Sequence, residues 1–221
     1  MTGSGFSTQF FDLPASLPLF PLGGVLLLPY GRLPLNIFEE RYLAMTDDAL
    51  RSERLIGIIQ PSNEADSQQK SPSLYKTGCA GRITAFSETD DGRYLVTLLG
   101  VCRFNIDQEI DSTRGYRRVV PNWGPFRSDI AKPDKFDIDK ERLLVALKCY
   151  FEKKTIDADW EAINSMNNVQ LITTLAMICP FDATEQQALL VAEKIEDRAS
   201  TMISLLEMAS HEEDGIKDVR H

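Results

Sequence analysis

Residues 17–42 read LPLFPLGGVLLLPYGRLPLNIFEERY, an apolar run that Pro18, Pro21, Pro29 and Pro34 cut into pieces too short for helices. Proline has no backbone N–H to give to a sheet ladder and pushes its predecessor toward extended geometry. LPLF, VLLL and LPLNIF are therefore predicted to be short strands or extended arms with Pro near their ends. The same prolines, with Gly23 and Gly24, leave no unbroken run of about 20 apolar residues, so no membrane helix is expected.

Working outward, the period changes after this run. Phe38, Tyr42, Met45 and Ala49 recur at helical spacing and predict one amphipathic helix over 38–54. LIGIIQ at 55–60 reads as a buried strand, and the polar stretch 61–73 as an exposed loop. Residues 75–86 and 93–99 are extended runs joined at Asp91-Gly92, a hairpin signal because Gly accepts a positive φ. Gly100 is read as a second reversal before a strand at 101–106. With 116–120 added, the first part supplies about seven strands and one helix, enough for a small barrel-like sheet.

Residues 121–133, PNWGPFRSDIAKP, break the pattern, and helical periods follow. Leu143, Leu144, Leu147 and Phe151 stripe a first helix that Asp139 caps, and 169–178 form a second that stops before Pro180. Asp182 and Glu185 have capping-box spacing. Beyond them Ala188, Val191, Ile195, Ala199, Met202, Ile203 and Leu206 predict one continuous helix of about six turns, with Glu193, Glu196, Asp197, Arg198 and Ser204 on its polar face. The expected organisation is a flexible arm at 1–15, a β-rich subdomain at 16–121, a helical subdomain at 134–210 and a flexible tail at 211–221.

The chain of 221 residues is 43% hydrophobic and 26% charged, an ordinary globular composition. Its formal net charge of −9 is uneven. Residues 1–130 carry 13 Lys and Arg against 15 Asp and Glu, whereas 131–221 carry 11 against 18, so the second part is the acidic one and attraction to nucleic acid or anionic lipid is not expected. Cys79, Cys102, Cys149 and Cys179 form no CxxC, and both histidines, His211 and His221, lie at the end. Four reduced, packed thiols in a cytoplasmic protein are expected, with no metal site and no cofactor. The first dozen residues lack the basic and apolar regions of a secretory signal.

Catalytic patterns are missing from the chain. No GxxxxGK[ST] loop occurs to cradle nucleotide phosphates, and Ser71 beside Lys70 lies in a polar loop where nothing desolvates a base. Cys102 stands beside Arg103, which lowers a thiol pKa where the two are close and unopposed. Strand alternation places Cys102, Phe104 and Ile106 on the core face and aims Arg103 outward. The acidic pairs Glu39-Glu40, Asp47-Asp48 and Asp90-Asp91 read as solvated surface.

Several spaced motifs carry a family resemblance. LPLFPL through LPLNIFEERY, KTGCAGRI at 76–83, DGRYLVTLLGVCRFNI at 91–106 and CPFDATEQQALL at 179–190 resemble, in order, the amino-terminal substrate-binding domain of Lon-type proteases, over roughly Ser16 to Ala209. The resemblance implies an α+β protein: an amino-terminal PUA-like β-barrel or twisted sheet with one helix, then a carboxy-terminal helical bundle. It implies a stand-alone member without the ATPase and Ser-Lys protease domains. Such a protein is non-enzymatic and recognises unfolded or extended polypeptides, as an adaptor in protein quality control or beside a full-length protease.

Two residue sets are candidate sites. For peptide, the proline-rich arms offer incompletely paired sheet edges, and Phe38, Glu39, Glu40, Arg41 and Tyr42 offer charge and an aromatic face beside them. The alternative reading, an RNA-binding PUA-like barrel, rests on Arg114, Tyr116, Arg117 and Arg118, where Tyr116 stacks a base and the arginines meet phosphates.

Overall fold

A computed structural model describes residues 9–63, 72–111, 114–131 and 136–211. The chain divides into two compact units, Met1–Pro133 and Asp134–His221. Six strands, β1 (Leu17–Pro21), β2 (Arg32–Ile37), β3 (Leu55–Ile59), β4 (Thr77–Glu88), β5 (Tyr94–Ile110) and β6 (Arg117–Asn122), and helix α1 (Glu40–Leu50) make the first unit. Five helices make the second: α2 (Lys140–Lys154), α3 (Trp160–Ser165), α4 (Asn168–Ile178), α5 (Ala183–Val191) and α6 (Ile195–His211).

The sheet is mixed, in the order β2-β5-β4-β3-β1-β6. β6 also pairs with β5, so five of the strands close a ring and β2 hangs outside it on β5. β1 is enclosed on both flanks, parallel to β3 and antiparallel to β6. Leu17, Leu19, Leu55, Ile59, Ala80, Phe104 and Val119 fill the ring, and Phe104 meets Trp123 edge-on at 5.7 Å. Every residue of β3 is buried, as its unbroken apolar run requires.

Four expectations need correction in this unit. VLLL forms no strand: Gly24 turns the chain at φ +69°, and Leu26, Leu27 and Leu28 are buried as an irregular segment. Phe38 is not on the helix, which begins at Glu40 and buries Tyr42, Met45, Thr46 and Ala49. β5 runs straight through Gly100 for 17 residues. A Cβ there would lie 1.9 Å from the Leu28 carbonyl oxygen, so this glycine admits a close backbone pass where a reversal was expected. Finally, Arg103 is buried. The short 3-10 segment Gly124–Ile130 covers the outer face of β5, and Asp129 pairs with Arg103 at 2.8 Å while Phe126 lies under the guanidinium at 4.6 Å.

Of the expected terminal arm, residues 1–8 lie outside the described residues, while Phe10–Asp12 form a 3-10 turn and the Pro14 carbonyl accepts from Trp123 Nε1 at 3.1 Å. Most of the expected loop at 61–73 and the expected tail beyond His211 also lie outside them.

In the helical unit the Asp139 cap and the Asp182/Glu185 capping box are both made. α3, capped by Asp159, was not expected. The expected six-turn helix is instead two, α5 and α6, parted at 192–194. Arg198, assigned to a polar face, is 5% exposed and donates from Nε to the Leu189 carbonyl at 2.8 Å, while Asp197 accepts from the Lys194 N–H at 3.3 Å. These two side chains satisfy a carbonyl at the end of α5 and an amide at the start of α6, which makes the break stable without Gly or Pro.

Gly100→Ala is expected to cost more than about 3 kcal/mol, because the new methyl meets backbone that cannot step aside. Gly92→Ala, at φ +77° with open space around it, is expected to cost about 1 kcal/mol. Equal urea midpoints for the two variants would contradict the close-pass reading.

Candidate functional site

At the end of β2 the chain turns through Phe38 and Glu39 into α1. Glu39 is the N-cap with extended backbone, but its side chain makes no capping bond; it accepts from Arg41 Nε at 2.9 Å. The Arg41 guanidinium lies 4.5 Å over the Tyr42 ring, and Tyr42, 5% exposed, stacks on Phe20 at 4.2 Å. The five candidate residues thus divide. Tyr42 is core, Glu39 and Arg41 bind each other, and Phe38, 63% exposed with Arg93 at 5.9 Å, faces solvent beside exposed Glu40.

The edge that proline-rich arms were expected to leave open belongs to β2, since β1 is paired on both sides. Antiparallel strands direct alternate residues toward their partner. The Gly31 carbonyl accepts from Gly100 N–H at 2.8 Å, so the inward set continues through Leu33, Leu35 and Ile37, and the backbone of Arg32, Pro34 and Asn36 faces away from β5. Pro34, which has no N–H to lose, stands where the missing donor is harmless to the ladder. The end of β4 also outruns its neighbour β3, but a register shift between Ile83 and Ala85 distorts that edge.

Beside the β2 edge, on the outer face of β2, β5 and β4, lies a shallow trough of about 610 Å³. Its floor is set by register: Leu95 lies between Asn36 and Ser87, and Thr97 between Pro34 and Ala85. Leu95 is 45% exposed, and on the opposite face Phe86, 42% exposed, meets Tyr94 edge-on at 4.9 Å. Sequence reading passed over Leu95 and Phe86. The signal was present in YLVTLL, which is apolar at both parities and so either covered on both faces or exposed on one.

The other candidates are occupied internally. Arg114 pairs with Asp48, whose other oxygen accepts from the Tyr116 hydroxyl at 2.8 Å; Arg117 pairs with Glu109, and Arg118 donates to Ser16 Oγ at 2.6 Å. Tyr116 is 5% exposed, which leaves no ring face for a base. Cys102 is fully buried and its thiol is pushed up to about 12, first by burial and then by Asp129, with Arg103 pulling the other way. The carboxylate opposes the neighbouring cation, and Cys102 is the core residue that strand alternation predicts. Among the described residues no group of three or more His, Cys, Asp or Glu is arranged to hold a metal ion, and no helix is long and apolar enough to cross a membrane.

Comparison with known proteins gives one consistent result. Residues 16–208 match the model of the ATP-dependent protease La (LON) substrate-binding domain. The chain is 25% identical over 195 residues to a Lon protease of Flavobacterium johnsoniae, covering 85% of this chain and 23% of that protein. It is 29% identical over 104 residues to a Lon protease of Geobacter metallireducens, covering 47% of this chain and 13% of that one. The chain therefore spans about a quarter or less of the length of the curated relatives it matches. Among solved structures, a Lon N-terminal domain protein from Xanthomonas campestris aligns with TM-score 0.60 at 22% identity, over 86% of this chain and 97% of that one. The N-terminal domain of Mycobacterium avium complex Lon protease aligns with TM-score 0.57 at 15% identity, over 89% and 98%. These two likenesses establish the fold.

The buried thiols have a chemical consequence. Cys102 and Cys179, both pushed up to about 12 by burial, are expected to resist an aromatic disulfide reagent at pH 8, where only about one in ten thousand is thiolate, and to react in denaturant. Rapid native labelling of either, located by peptide mapping, would contradict this burial.

Proposed function

Because the chain belongs, over residues 16–208, to the family of the Lon protease substrate-binding domain, we propose that it recognises extended or unfolded polypeptide. The module is the substrate-binding, non-catalytic part of that system. One observation carries the proposal: among the described residues β2 has a strand partner on one side only, and the strand runs on into an exposed aromatic, Phe38. Backbone donors and acceptors in a row are complementary to another chain and to little else.

Phe38, Glu39, Glu40, Arg41 and Tyr42 are proposed as the contact region, with Phe38 and Glu40 touching the client and the Glu39–Arg41–Tyr42 stack holding the turn that presents them. We read residues 16–121 as a PUA-like β-barrel subdomain, supported by the ring closure, and 134–210 as a helical subdomain, supported by the division at Pro133. A role in protein quality control, as an adaptor or beside a full-length protease, follows the family. Free cysteines, three of them buried, support a cytoplasmic setting.

Titration of fluorescent casein and of a folded control protein tests the proposal. Binding of casein at tens of micromolar or tighter, with none of the control, is expected. Phe38→Ala should weaken it about fivefold while leaving the melting temperature in place, as for an exposed aromatic anchor. Failure to bind either protein overturns the reading.

A further inference from the structure

We propose that the trough on β2, β5 and β4 seats one extended segment, apolar at its centre and with a Lys or Arg at the end that lies over the β4–β5 hairpin tip. The segment adds as a strand to the free edge of β2. The inference rests on the polypeptide-binding reading above and specifies which polypeptide.

The occupant follows from three features of the same surface. The outward N–H groups of Arg32 and Asn36 and carbonyls of Arg32, Pro34 and Asn36 call for a peptide backbone, in a ladder with one gap at Pro34. Leu95, with Pro34, Ala85 and Thr97 around it, calls for apolar side chains on the face the added strand turns toward the trough. Charge then sets the ends. At the β4–β5 hairpin tip Arg93 is matched by Asp91 at 2.8 Å, whereas Asp90 is exposed and carries no ion pair among the described residues. The hairpin end of the trough is therefore acidic. Its opposite end is basic, because Arg32 and Arg82 share a row with Leu99 between them. Six residues of strand span about 20 Å, which separates the two ends by about twice the Debye length at physiological salt, so each end selects independently.

Fluorescence anisotropy with three labelled peptides sharing one apolar seven-residue core tests the assignment, the ends being Lys and Glu, Glu and Glu, or Lys and Lys. The peptide with opposite ends is expected to bind best, with the Glu–Glu peptide about fivefold weaker at low salt and the gap closing at high salt. N-methylation of alternate backbone amides should abolish binding. Leu95→Asn, at an exposed position, should weaken both peptide and casein about fivefold with an unchanged melting temperature. Casein binding that Leu95→Asn and the peptides' ends do not alter overturns this inference and leaves the polypeptide-binding reading standing. Failure of wild-type protein to bind casein overturns both. Dimerisation on sedimentation that Leu95→Asn abolishes, without peptide binding, gives the trough to a second copy and overturns the assignment.

Discussion

The first unit depends on how β5 changes neighbours. One edge of this 17-residue strand pairs with β4; the other pairs with β2 over 94–99 and with β6 over 105–110. Between those spans the backbone of a buried strand still needs partners, because an unpaired buried amide or carbonyl costs as much as a lost hydrogen bond. Gly100 is served by Gly31 and Tyr30, and the Arg103 N–H by Asp129 Oδ2 at 3.0 Å. Several oddities are consequences of this handover. Gly100 has no side chain because the Leu28 carbonyl passes over it. Tyr30 takes φ +67° so that its N–H reaches Gly100, and its hydroxyl donates to the Asp129 and Ala131 carbonyls, which holds the covering segment in place. Arg103 is buried because the carboxylate that serves its amide also neutralises its side chain. The same handover frees the β2 edge, since a strand that pairs only with the first half of β5 stays outside the ring.

What the sequence made legible was local chemistry. Prolines marked the short strands, Asp91-Gly92 marked the hairpin, and Asp139 and the Asp182/Glu185 pair marked helix starts, because each of these signals acts within four residues. The misreadings share a different physics. Gly100 looked like a turn because its true reason, Leu28, lies more than seventy residues away. Arg198 looked like surface because the carbonyl it satisfies belongs to another helix, and alternation aimed Arg103 outward because nothing in VCRFNI reveals that residues 124–130 lie across it. An arginine in an otherwise apolar period is ambiguous until its acceptor is known.

The candidate site was legible to a similar depth. The motif pointed to β2 and the turn that follows it, put weight on Glu39, Arg41 and Tyr42, which largely satisfy one another, and none on Leu95. The basic cluster near Tyr116 was visible as composition and invisible as circuitry. Asp48, which engages both Arg114 and Tyr116, sits in α1, and Glu109, which engages Arg117, sits across the β5–β6 pairing. With Arg114 and Arg117 each matched to a carboxylate and Arg118 held on the Ser16 hydroxyl, little field is left for phosphates. An open edge beside an exposed leucine is by contrast a defect by the ordinary standards of a folded domain.

That defect is tolerable because backbone pairing alone gives little net affinity. An added strand gains about 1 kcal/mol per hydrogen bond after desolvation, and fixing each residue of an unfolded client costs about the same. Pro34 removes one donor from the ladder and tips the balance slightly against pairing, which guards the edge against casual contacts. Side-chain burial then decides. An apolar residue placed on Leu95 would add roughly 1–2 kcal/mol that the ordering cost does not cancel, so an edge used as proposed discriminates by what the client carries and not by the backbone all proteins share. Folded proteins keep such segments inside their cores, and unfolded ones display them. On the proposed reading, a surface whose backbone gain and ordering cost nearly cancel is a detector of exposed apolar chain that lets its client go.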